Sequence, residues 1–140
     1  MGRWTALTDQ IIGGFYSVYN ELGFGFAEKV YERALLIALS QMGLDVQNQV
    51  PIPVYFRGQQ IGDFYADLVV ENIMVLELKA TKAIAPEHEA QLISYLKSTR
   101  YEIGLLLNFG PKPQIKRKIF DNARKGSLSW LAPKPPQNHT

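Results

Sequence analysis

The chain has 140 residues, 46% hydrophobic and 20% charged, with a net charge of +2 and no cysteine. That length suits one domain with a single core and is too short for two ordinary ones, and the composition excludes wholesale disorder. Disulfide frameworks and Cys-ligated zinc are excluded too; with only two histidines, one of them in the tail, any bound metal is expected to be held by oxygen.

In chain order, residues 7–22 predict a helix. Ile11, Ile12, Phe15, Val18, Tyr19 and Leu22 recur at helical spacing. Thr8 is the expected N-cap, Asp9 suits the first turn, and Gly23-Phe24-Gly25 ends the helix. A second helix is expected over 27–42, with Val30, Tyr31, Ala34, Leu35, Ala38 and Leu39 on its apolar side and Gly43 as its stop. Residues 46–56 read as a strand. Pro51 and Pro53 confine it to a sheet edge or a late start, because Pro donates nothing to a ladder. A turn at 57–60 leads to a strand over 61–70; if it is regular, Asp63 and Tyr65 share the face of Asp67.

Glu71-Asn72 separates this strand from a second apolar run, so the two read as a hairpin. Asp67, Glu77 and Lys79 interrupt the apolar pattern, and a buried, unpaired charge costs several kcal/mol or more. Glu77 and Lys79 share one face by the period of two. The pattern supports two readings. In one, Asp67 and Glu77 hold Mg²⁺ with the Lys79 ammonium beside it. In the other, the charges of an edge hairpin face water and Lys79 pairs with a carboxylate. Register separates them. A two-residue turn pairs Val70 with Ile73 and sends Asp67 and Glu77 to opposite faces. A three-residue connection pairs Val70 with Met74 and sets the carboxylates across from each other, with Cβ atoms roughly 4.5–5.5 Å apart. A shared ion therefore predicts an odd-length connection, or a bulge.

Past Lys79, Pro86-Glu87 opens a helix that runs to about residue 98. Glu87, Gln91 and Tyr95 fall on one face, Ala90, Leu92, Ile93 and Leu96 on the buried side, and His88 reads as a surface residue. The near-continuous apolarity of 101–109 predicts a strand covered on both faces, parallel to an earlier one after a helical crossover. Residues 114–124 predict a basic helix with Ile115, Ile119 and Phe120 inward. From Lys112 onward there are seven Lys and Arg against one acid (+6); the first 111 residues carry eight against twelve (−4). Lys116, Arg117, Lys118 and Arg124 are thus candidates for phosphate-backbone contact, or simply a solvated face. Residues 128–131 suggest a short strand or docking segment, and 133–140 a disordered Pro-rich tail, leaving 1–132 as one domain. No stretch reads as a signal peptide or membrane span, so a cytoplasmic protein with no membrane partner is expected.

Asp67, about ten residues, then Glu77-Leu78-Lys79 on consecutive strands resembles the PD-(D/E)xK nuclease superfamily, with Ala66 where the Pro of that name would stand. Gly25-Phe26-Ala27-Glu28-Lys29-Val30-Tyr31 resembles the signature of a small bacterial and archaeal family placed within it, the GxxExxY proteins. Leu22-Gly23, Val50-Pro51-Ile52-Pro53-Val54 and Leu105-Leu106-Leu107-Asn108-Phe109-Gly110 extend the resemblance over most of the chain, while Tyr19 stands where members often carry a His.

The resemblance implies a restriction-endonuclease-like α/β fold, a mixed sheet with an αβββαβ core flanked by helices. It also implies a Mg²⁺- or Mn²⁺-dependent nuclease that hydrolyses phosphodiester bonds of nucleic acid, DNA favoured over RNA. Asp67 and Glu77 would bind the metal, with Glu28 as a third carboxylate. A Glu in a first helical turn also complements the helix dipole without any other role. Lys79 would position or deprotonate the attacking water. Gln91-Leu92-Ile93-Ser94-Tyr95 resembles a Gln-x-x-x-Tyr element beside the metal of some superfamily nucleases, which gives Gln91 an assisting role and Tyr95 a nucleic-acid contact. The alternative is a non-catalytic nucleic-acid- or protein-binding module on the same fold. The oligomeric state stays open, a homodimer included.

Overall fold

Helices α1 (Thr5–Leu22) and α2 (Glu28–Gln41) come first, followed by strands β1 (Val46–Phe56), β2 (Gln59–Val70) and β3 (Met74–Lys79). Helix α3 (Pro86–Ser98) then leads to β4 (Ile103–Phe109) and β5 (Pro113–Ile119), and a short 3-10 turn follows at Asn122–Arg124. The computed structural model describes residue 2 and residues 4–126. The segment 128–131 and the tail 133–140 lie outside the described residues.

The five strands lie in sequence order, antiparallel except where β3 meets β4. That parallel step is the crossover through α3 anticipated from the apolar run at 101–109, and all seven residues of β4 are buried. One core cluster packs the sheet against α1 and α2, through Phe15, Tyr31, Leu35 and Leu39 with Leu76, Leu78 and Phe109. The other packs the opposite face against α3, through Leu92, Tyr95 and Leu96 with Val75 and Leu106. The result is a mixed α/β sheet with helices on both faces, consistent with a restriction-endonuclease-like fold. Among the described residues no helix is long and apolar enough to cross a membrane.

Three local expectations give way. Thr8 lies buried inside α1, whose N-cap is Trp4, because the helix starts at Thr5. The basic segment is a strand rather than a helix. Gln114, Lys116 and Lys118 alternate with Ile115, Arg117 and Ile119, and the exposed edge of β4 offers a row of backbone partners that a solvated helix lacks. On α3, Ala90 is exposed and Tyr95 is buried in its place. β1 forms one edge of the sheet, which is where Pro51 and Pro53 can be tolerated.

Candidate active site

The connection from β2 to β3 is odd. Val70 pairs with Met74, leaving Glu71, Asn72 and Ile73 between the strands, with Glu71 and Asn72 at φ values of 55 and 53. This register brings Asp67 and Glu77 together. The ladder itself ends at Leu68↔Leu76, so the two acidic residues meet where the strands part.

A kink aims Asp67 across that gap. β1 and β2 hold one register from Val46↔Val70 to Val54↔Gly62, yet Gln49 and Asp67 drop out of it, and Gln49 takes a φ of 50. Side chains change faces at this point. Val46, Leu68 and Val70 pack toward α1 and α2, whereas Val50, Ile52 and Ala66 pack toward α3. Strict alternation from Asp63 through Asp67 therefore fails. Asp67 Oδ2 instead accepts a hydrogen bond from the Leu78 N–H at 2.8 Å, which fills the ladder position the parting strands leave open.

Glu77 and Lys79 lie on the α3 face of β3, opposite Leu106 and Asn108 of β4. Burial pushes the Glu77 carboxyl up to about 8, and the neighbouring Asp67 charge adds to it. Asp67 is raised as well, chiefly by burial, and the two carboxyls are close enough to hydrogen-bond to each other. The Lys79 ammonium favours the ionised form of both. Glu77 Oε1 is buried and has no hydrogen-bond partner among the described residues.

Two residues that the sequence patterns did not single out join from the other side. Glu32 of α2 is 5% exposed and raises Asp67 further. Its Oε1 accepts from Gln49 Nε2 at 2.6 Å, and the same nitrogen lies 3.5 Å from Asp67 Oδ1. Gln49 thus links the helix carboxylate to the strand carboxylate. Lys29 Nζ lies 3.3 Å from Glu32 Oε2. Glu28, the expected third carboxylate, is exposed one turn earlier and does not join the Asp67–Glu77 pair. The available signal for Glu32 was an acidic residue between Tyr31 and Leu35 on the buried side of the helix; Gln49 carried none.

A cavity of about 210 Å³ opens beside Glu77 and Lys79, bounded by Phe64 and Tyr65 of β2 and by Gln91 and Tyr95 of α3. Gln91 is exposed at its rim. Tyr95 is buried, its hydroxyl held protonated by burial and by Glu77, with no partner among the described residues. His88 also borders the cavity, but its Nδ1 accepts the Ala85 N–H at 3.1 Å and so fixes the start of α3.

The four basic candidates do not share a face. Opposed strand residues point the same way: Lys116 faces with Leu106 toward the cavity side, and Arg117 with Leu105 toward α1 and α2. Lys118 binds Glu89 of α3 at 2.7 Å, and Arg124 lies over the Phe120 ring.

The segment from Gly25 to Tyr31 has a structural task. Gly25 takes a φ of 116, a region that favours Gly. The Tyr31 hydroxyl donates to Gly23 O at 2.6 Å and accepts from the Phe26 N–H at 3.3 Å, while its ring stacks on Phe109 at 4.3 Å. The Tyr19 hydroxyl lies 2.7 and 2.9 Å from the carbonyls of Gly110 and Pro111 and ties α1 to the β4–β5 turn.

Residues 5–118 match the PD-(D/E)XK nuclease superfamily, a span that contains both carboxylates and Lys79. The chain belongs to that superfamily. The crystal structure of a protein called SSO0001 is similar in fold, with a TM-score of 0.50 and 17% identity. The similarity covers 90% of this chain and 64% of that one. No curated protein sequence matches.

The site of this superfamily member fits a hard divalent cation. Its donors are oxygens, one carboxylate oxygen is buried without a hydrogen-bond partner among the described residues, and a cation between the carboxyls would relieve the charge repulsion that adds to the rise of Glu77. Among the described residues no group of three or more acidic or histidine side chains gathers around one point. Asp67 and Glu77 would hold the ion between them, with water or substrate oxygens completing its shell, as Mg²⁺ prefers.

Proposed function

We propose that this protein is a Mg²⁺- or Mn²⁺-dependent nuclease that hydrolyses phosphodiester bonds, most readily those of DNA, and that it is one of the GxxExxY proteins within the superfamily. The observation that carries the reading is Glu77 Oε1, a buried carboxylate oxygen without a hydrogen-bond partner among the described residues, set against Asp67 and followed two residues on by Lys79. A bound metal polarises a phosphodiester and acidifies a water. Asp67 and Glu77 hold the cation, and the Leu78 N–H and Gln49 fix the orientation of Asp67. Glu32 keeps Gln49 in place. Lys79 orients the attacking water and, as an ammonium, offsets the charge that builds on the phosphate. Gln91, at the cavity rim, steadies a phosphate oxygen or the water. Lys116 and Lys118, on the cavity side of β5, draw the nucleic-acid backbone toward the carboxylates.

The test is a panel of DNA and RNA substrates incubated with and without Mg²⁺ or Mn²⁺, together with metal titration followed by thermal unfolding. Metal should support cleavage and raise the melting temperature, and Asp67→Ala should abolish both. Lys79→Met should lower the rate roughly 10²–10³-fold while metal stabilisation persists. Cleavage that survives Asp67→Ala, or tetrahedral Zn²⁺ at Asp67 and Glu77, would refute the assignment.

A further inference from the structure

β2 outruns β3. Only Leu68, Val69 and Val70 pair with β3, whereas β2 continues back to Gln59 with β1 as its partner. The β1–β2 hairpin therefore projects past the sheet as a two-stranded arm, and the edge of β2 that β3 leaves free borders the cavity. Two successive aromatic residues sit there. Phe64 is 36% exposed and Tyr65 56%, and both line the same space as Glu77 and Lys79. Phe64 is braced by Tyr95, with ring centroids 5.3 Å apart. Leu92 and Leu106 also line it, and the Tyr95 hydroxyl, without a partner among the described residues, and exposed Gln91 supply polar atoms.

An apolar, aromatic wall beside a phosphodiester-cleaving centre has little use on a regular duplex. There the bases are stacked inside, and a protein meets only phosphates, sugars and base edges. A single strand presents the faces of its bases, for which an aromatic side chain is the natural platform. Resting on the nuclease reading above, we propose that the substrate is single-stranded nucleic acid, or a duplex with an unpaired nucleotide. A base next to the scissile phosphate stacks on Tyr65 at the mouth of the cavity, beside Phe64. Tyr95 and Gln91 bond the edge of that base, and Lys116 meets the backbone beside it.

The experiment uses the full chain with oligonucleotides carrying 2-aminopurine, whose fluorescence falls on stacking, as single strands and as fully paired duplexes. Binding is measured in EDTA and cleavage in Mn²⁺. Tyr65→Leu keeps the apolar bulk of the side chain but removes its ring. The expected result is quenching on the single strand, weaker binding of the duplex, and a roughly ten- to hundredfold loss of single-strand affinity in Tyr65→Leu. Equal or better use of the duplex, with Tyr65→Leu unchanged, overturns the inference and leaves the nuclease reading intact. Quenched binding that Tyr65→Leu weakens, but no cleavage in any divalent metal, supports the inference and removes the nuclease reading. Neither binding nor cleavage overturns both.

Discussion

The buried carboxyl of Glu77 makes a prediction about stability that needs no substrate. In the folded protein it titrates near 8, against an ordinary value of 4.5. Between those values the folded protein keeps a proton that the unfolded chain has released, so stability must fall as pH rises from about 5 to about 8 and level off above. Each unit is worth 1.36 kcal/mol, so the displacement from 4.5 to about 8 corresponds to about 5 kcal/mol at most. Water in the adjoining cavity screens part of this, and a fall of about 2–3 kcal/mol is expected. Glu77→Gln replaces the carboxyl with a neutral group of the same shape. The variant should match the parent near pH 5 and exceed it by about 2 kcal/mol or more at pH 8.5. Asp67, raised in the same direction, contributes with the same sign. Whatever slope remains in Glu77→Gln should disappear in the Asp67→Asn/Glu77→Gln double variant. The assay is urea denaturation in EDTA from pH 5 to 9. Stability that is flat or rising across this range, or a Glu77→Gln variant with the parent's slope, would refute the reasoning.

Three further outcomes are expected. A Cβ on Gly110 would sit 2.2 Å from the carbonyl oxygen of Thr81, so Gly110→Ala should destabilise by about 1–3 kcal/mol, and an unchanged melting temperature would contradict the packing described. Tyr31→Phe keeps the stack on Phe109 but leaves Gly23 O and the Phe26 N–H without the hydroxyl; denaturation should reveal a loss of about 1–2 kcal/mol, with proteolysis rising in the 23–27 loop. Lys116→Gln should lower the salt slope of nucleic-acid binding by about 1, while Arg117→Gln, on the opposite face, should not, as fluorescence titrations at several salt concentrations would reveal.

What local pattern can encode was legible in the chain by itself. The period of 3.6 outlined three helices, the Pro residues placed β1 at an edge, and continuous apolarity marked β4 as a buried parallel strand. The charges of Asp67, Glu77 and Lys79 stood out because each interrupts an apolar run, and demanding one face for both carboxylates led to the three-residue connection that the β2–β3 register has. The tertiary structure decided the rest, because it depends on partners far apart in sequence. Residues 114–119 carry both helical and strand periodicity, and the open edge of β4 selects the strand. Asp67 points at Leu78 only because both β1 and β2 kink at Gln49 and Asp67, which no count of residues along one strand reveals. Glu32 rather than Glu28 reaches the site because the packing of α2, pinned by Tyr31 on Phe109, sets which turn of the helix faces the sheet. Burial of Tyr95 beneath Phe64 likewise follows from how far the hairpin arm extends over α3, a distance fixed by the sheet and not by the helix's own sequence.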